Sequence, residues 1–166
     1  MNGSSERSSV ASSPSSPASS AAPADAPWYS AGIAFSCAQC GNCCSGAPGY
    51  VWVTLQEAGQ IADVLGLQLS DFTRRYTRRV GSRLSLIELK GGDCVFLVRT
   101  PDGLTNCKIH AVRPVQCRTW PFWQSNLSSP KAWERAGRGC PGMNHGRIHP
   151  LPTIRTCLSA NADLPL

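Results

Sequence analysis

Charged residues are sparse in this chain of 166 residues, at 16%, and acidic ones are sparsest: ten Asp and Glu stand against sixteen Lys and Arg, with three His. So few histidines leave little room for a histidine-built metal box, and the His-Glu-x2-His pair of a zinc hydrolase is missing. A glycine-rich phosphate loop and a Gly-x-Ser-x-Gly elbow are missing too, which excludes common nucleotide and serine-hydrolase chemistries. No apolar run approaches the roughly 18 residues of a membrane-spanning helix. Large apolar side chains are nearly lacking before Trp28, where Ser, Ala and Pro dominate and Val10 is the one large aliphatic residue. Such a segment cannot offset its ordering entropy by burial, so residues 1–27 are expected to form a disordered tail and 28–166 the folded domain. The tail has neither the basic start and apolar stretch of a secretory signal nor the repeated arginines of a transit peptide, since Arg7 stands alone; the expected location is the cytoplasm.

Cysteine is what the chain has in excess. Cys37, Cys40, Cys43 and Cys44 fall within eight residues, and Cys94, Cys107, Cys117, Cys140 and Cys157 follow at wide intervals. In a reducing compartment such thiols bind metal rather than pair with each other, and a count of nine leaves one over in any all-disulfide scheme. The Cys-x2-Cys spacing lets two thiolates of one tight turn meet on a single ion, with Gly41 supplying backbone freedom, so Cys37, Cys40 and Cys43 can share one centre. Adjacent residues project their side chains apart, which turns Cys44 toward a second centre or a distant partner.

Local patterns sketch the rest. Tyr50-Val51-Trp52-Val53 reads as a short strand. Thr54 and Glu57 form a Thr-x-x-Glu capping box ahead of Ile61, Val64 and Leu65, predicting a helix over about 55–65 with Gly66 as its stop. Ser70 caps a second predicted helix, with Phe72 and Tyr76 on one face, ending near Val80-Gly81. Arg83 to Lys90 has a mixed strand pattern closed by Gly91-Gly92. Asp93 to Val98 is a further strand, and beyond the Pro101-Asp102-Gly103 turn Leu104 to Ile109 returns antiparallel, bringing Cys107 near Cys94. A short helical turn is expected through Cys117, and the stretch from Gln124 onward is expected to be loop-rich. The fold class is therefore α+β: a small cysteine-rich, metal-stabilised domain with two short helices, a β-hairpin and long loops, behind a disordered tail.

The segment Phe35-Ser36-Cys37-Ala38-Gln39-Cys40-Gly41-Asn42-Cys43-Cys44-Ser45-Gly46 resembles the signature of the YkgJ-type cysteine-cluster family of zinc- or iron-chelating domains. Later blocks are similar in order: Asp93-Cys94-Val95-Phe96-Leu97, then Cys107 to Arg118 with its Ile-His-x2-Arg-Pro core, then Trp120-Pro121-Phe122, then Cys140-Pro141-Gly142. The resemblance covers about residues 35–146. It implies metal-ion binding by eight thiolates, Cys37, Cys40, Cys43, Cys44, Cys94, Cys107, Cys117 and Cys140, with Cys157 left over. Around two divalent ions such a set lowers the formal charge from +6 to about +2. The basic excess, concentrated at Arg74, Arg75, Arg78 and Arg79, is then expected to compensate thiolates rather than to bind nucleic acid.

Eight thiolates suffice for about two tetrahedral zinc sites, with Zn–S near ~2.3 Å, or for iron. Cys37-x2-Cys40-x2-Cys43 also reproduces the first three ligands of a ferredoxin run, so an iron–sulfur cluster serving an electron-transferring oxidoreductase is the alternative, although Cys44 following at once departs from that run. A further alternative is a zinc-stabilised interaction module that meets a protein partner through the Arg74–Arg79 segment and the aromatic run. Beyond the cysteines, His110, Arg113 and Arg118 are the expected contacts to the metal centre: His110 as ligand, hydrogen-bonding support or general base, the arginines as donors that offset thiolate charge. No catalytic residue is assigned. Asp93 is expected to terminate the hairpin, Trp120, Phe122 and Trp123 to pack as core, and His145 and His149 to be ordinary loop histidines.

Overall fold

The computed structural model describes residues 25–46, 49–101 and 105–164. Most of the expected tail, residues 1–24, lies outside the described residues, as do Asp102, Gly103 and Leu104 of the expected hairpin connection. The fold class is α+β, with three small antiparallel sheets and six α-helices among the described residues.

Ile33–Phe35 (β1) pairs with Met143–His149 (β7) near the far end of the chain. Between them lies a second sheet, in which Val51–Val53 (β2) and Thr77–Val80 (β3) flank Arg83–Leu86 (β4) in the order β2-β4-β3. Its register sets Trp52, Ser85 and Arg78 in one row and Val53, Leu84 and Arg79 in the next, so alternation sends Val53 into the core while Arg78 stays on the other face. Leu97–Arg99 (β5) and Thr105–Cys107 (β6) form the hairpin expected around the Pro101 turn, with Leu97 opposite Cys107. Cys94 lies just outside it, in an isolated bridge to Glu88.

Leu55–Val64 (α1) is set by its capping box: Thr54 Oγ1 accepts from the Glu57 amide at 3.1 Å while Glu57 Oε2 accepts from the Thr54 amide at 2.9 Å. Its Ala58, Ile61 and Ala62 join Val53, Phe72, Leu86, Phe96 and Ile109 in a first core. The second predicted helix, Leu69–Tyr76 (α2), stops four residues short of Val80. Thr77 is extended at φ −126°, ψ 157°, and from there the backbone pairs with β4, an outcome favoured by the β-branched Thr77 and Val80.

The C-terminal third is not loop-rich as expected. After Val115–Thr119 (α3) and Gln124–Leu127 (α4) come Pro130–Gly137 (α5) and Leu151–Ala160 (α6). Ser129 Oγ caps α5 by accepting from the Ala132 amide at 3.1 Å, and Pro130 fits the first turn, where no amide donor is needed. These helices bury Leu127, Trp133 and Ile154 with Ile33, Phe122, Cys140 and Met143 in a second core. No helix among the described residues is long and apolar enough to cross a membrane.

Candidate metal centre

The cysteine loop leaves β1 in the second core and arrives at β2 in the first, so each end is anchored on a different layer. At its start the Ser36 amide donates to the Gly142 carbonyl at 3.1 Å, beside Cys140. At mid-loop Thr105 Oγ1 donates to the Gln39 carbonyl and Asn42 Nδ2 to the Gly139 carbonyl at 3.1 Å. Gly41 takes φ +76°, as the tight turn was expected to need, and opens a short 3-10 turn over Asn42–Cys44. At the end the Cys94 amide donates to the Cys44 carbonyl at 2.7 Å. Gly92, at φ +88°, lies so near that a Cβ there would overlap the Gly46 carbonyl oxygen. Gly92, Thr105 and Asn42 carry no signal of this role in the sequence, because close approach between remote stretches of chain leaves no local pattern.

Five thiols gather where this loop meets β6, α3 and the segment before β5. Cys43 and Cys44 sulfurs lie 3.8 Å apart, and Cys43 acts electrostatically on Cys94, Cys107 and Cys117 as well. The hydrogen bond from Cys44 pulls the exposed Cys43 thiol down to about 7, with the Arg113 guanidinium helping. The same bond pushes Cys44 up, as do burial and the charges of Cys43, Cys117 and Cys94. Burial pushes Cys117 up to about 12, and raises Cys94 and Cys107 too. Neighbouring sulfurs thus resist sharing negative charge unless a cation sits among them. As they stand, no three His, Cys, Asp or Glu side chains among the described residues converge tightly enough to hold an ion. All nine cysteines are free thiols.

The other expected ligands sit at varying distances from this cluster. Cys37 is exposed and shares a small cleft with Cys43, Cys44, Cys107, His110 and Arg113. Cys40 is half-buried on the same loop. Cys140 is buried in the second core, where Trp120 Nε1 donates to its sulfur at 3.4 Å. Cys157 packs against that core too.

Arg113 faces the thiols, its charge acting on Cys43, Cys107 and Cys117, and its Nε is buried with no hydrogen-bond partner. Its Nη1 lies 2.7 Å from His110 Nε2, which must accept because a guanidinium only donates; that lone pair is therefore aimed at Arg113 and not at a metal. Arg118 turns away, toward the Arg113 carbonyl and Glu57. Asp93 pairs with Arg99 at 2.9 Å, outside the cluster. His149 Nε2 lies 3.0 Å from the Phe35 carbonyl, and its ring packs on Phe122, while His145 is exposed on β7. The aromatic run packs as expected, with Phe122 buried and Trp120 edge-on to Trp123 at 4.8 Å.

Comparison with known proteins adds a description to this geometry. A family described as "CxxCxxCC: Putative zinc- or iron-chelating domain" matches residues 36–141. An uncharacterized protein of Methanocaldococcus jannaschii is 35% identical over 94 residues, which are 57% of this chain and 48% of that protein, so the chain spans about half the length of this relative. No solved structure is significantly similar. The family description supports metal binding in general, by zinc or iron.

Proposed function

The chain belongs to the CxxCxxCC family, and on that footing we propose that it is a cytoplasmic metal-binding protein that chelates zinc or iron directly through thiolates. The observation that carries this reading is the gathering of Cys43, Cys44, Cys94, Cys107 and Cys117 from well-separated stretches of sequence into one electrostatically linked group. Sulfur is the whole donor set there, which suits zinc and iron and disfavours magnesium or calcium. Cys37 and Cys40, on the same loop, complete the set with Cys140 from the second core, giving the eight thiolates of the family pattern. A bound cation would supply the positive charge that lets these sulfurs ionise together. Arg113 stands ready to donate its free Nε–H to a sulfur and to offset part of the remaining charge. Free thiols in such number suit a reducing compartment, hence the cytoplasm.

The test is metal and acid-labile sulfide analysis of protein purified without oxygen. Zinc or iron bound without sulfide is the expected result, and Cys43→Ser with Cys117→Ser lowers the metal content to less than half. Full metal content in that double variant would overturn the assignment. Brown material with sulfide matching its iron would replace it with the iron–sulfur reading, for which the Cys37, Cys40, Cys43 spacing is the supporting observation.

A further inference from the structure

Beside the thiols lies a cavity of about 340 Å³, at the small end of the range for ligand sites. Cys43, Cys44, Cys94 and Cys117 are part of its wall. Aromatic rings line much of the rest: Tyr50 and Trp52 are stacked at 4.8 Å, and Trp120 and Trp123 form an edge-on pair at the same separation.

The polar groups of the wall are largely committed elsewhere. Gln116 accepts from the Trp52 amide at 2.8 Å and donates to the Tyr50 carbonyl at 2.9 Å. Trp120 Nε1 donates to Cys140, Trp123 Nε1 to the Gln116 carbonyl, and Ser45 Oγ to the Gly41 carbonyl. Glu88 accepts from the Gly49 amide at 2.9 Å, with Arg78 at 3.6 Å. Tyr50 and Trp52 are stacked on each other, with the Arg78 and Arg83 guanidinium groups over their rings at 5.2 and 5.7 Å, so what remains on offer is Trp120 and Trp123, with sulfur in the same wall. The tryptophan ring faces and the sulfurs disfavour an anion, while the Glu88 carboxylate is offset by Arg78.

We propose that this cavity binds a small, flat nitrogen heteroaromatic molecule carrying no negative charge, stacked against its tryptophans with a ring nitrogen toward the cysteines. The nitrogen meets a thiol S–H or the cation the thiolates hold; in the second case the inference rests on the metal-binding reading above. Such a site goes beyond holding a metal, because it gives the centre a neighbour that only a particular class of molecule can fill.

The experiment uses the full chain as purified, with its metal content measured first. Three probes are titrated while tryptophan fluorescence is followed: 4-phenylimidazole, imidazole, and benzoate. The expected result is saturable binding of 4-phenylimidazole at least about tenfold tighter than either of the others, since imidazole lacks the second ring and benzoate carries the wrong charge. Ser125 lines the cavity and is exposed, so Ser125→Phe fills the space without removing a wall, and it weakens 4-phenylimidazole binding by more than about tenfold. Trp123→Ala does likewise. Equal affinity for benzoate, or binding unchanged by Ser125→Phe, overturns the proposal. Protein found free of metal sinks the chelation reading, while metal-loaded protein that ignores 4-phenylimidazole sinks the cavity alone.

Discussion

The charge of Arg113 reaches three of the five gathered thiols, and its partnerless Nε gives it something to do there. Replacing it by Gln keeps a donor and removes the charge. Arg113→Gln is expected to weaken metal retention about tenfold, or about 1.4 kcal/mol, as a charge-assisted contact to sulfur is lost; competition against a coloured chelator measures it. At Gly92 the constraint is steric. A methyl group at that position meets the Gly46 carbonyl and demands a left-handed backbone from Ala, so Gly92→Ala is expected to cost about 1–3 kcal/mol in thermal unfolding and to reduce bound metal. Cys157→Ser, outside the eight proposed ligands, should leave metal content unchanged. The ligand candidates were legible in the sequence because four thiols crowded into one short loop serve little purpose except to hold a cation. Gly92 and Thr105 were not, because what makes them matter is a neighbour far away in the chain. Arg118 was legible as an arginine near the cluster, but its direction depends on Glu57, which no spacing reveals.

Glu57 joins two elements. Its Oε2 closes the capping box of α1, while Oε1 accepts from the Val115 amide at 2.7 Å at the start of α3, the helix that carries Cys117. It is only 8% exposed, so its loss leaves buried donors without partners. Thr54→Ala removes the cap alone and is expected to cost about 1 kcal/mol. Glu57→Ala keeps the bond from the amide of residue 57 to Thr54 but removes the acceptor of the Thr54 amide together with the link, for which about 3 kcal/mol is the expected loss in a denaturant titration, with lower metal content as α3 shifts. Equal losses in the two variants would show that the link to α3 contributes nothing. The capping box was readable because all its parts lie within four residues, and α1 follows the prediction nearly to the residue. The extension of α2 failed for the opposite reason: Thr77–Val80 has a strand partner in β4, and pairing outweighs the helical pattern that precedes it. α5 and α6 were not legible although Ser129 and Pro130 mark a helix start, because short helices with few apolar residues show only weak periodicity.

At the scale of the molecule the question is how much of the fold the metal holds. In small zinc-finger peptides the metal supplies about 10–16 kcal/mol and the apo chain is unfolded, since no core exists without it. Here two apolar cores are built mostly from other side chains, with Cys94 and Cys107 packed against the first and Cys140 within the second: Ile61 and Phe72 are fully buried in the first and Ile154 in the second. Five of the cysteines lie where the loop between β1 and β2 meets β6 and α3, so a cation held there would fasten that loop, which buries no residue of its own between Cys37 and Ser45, to segments already held by the first core. Removing it with a strong chelator under reducing conditions should therefore loosen part of the chain and leave the rest folded. Hydrogen exchange is the measurement: amide protection is expected to fall over residues 37–46, and to persist in α1, β4 and α6. Zinc or iron added back should restore it. If protection is lost everywhere in one step, the cores are too small to stand without metal, and the cation is part of what makes the chain fold.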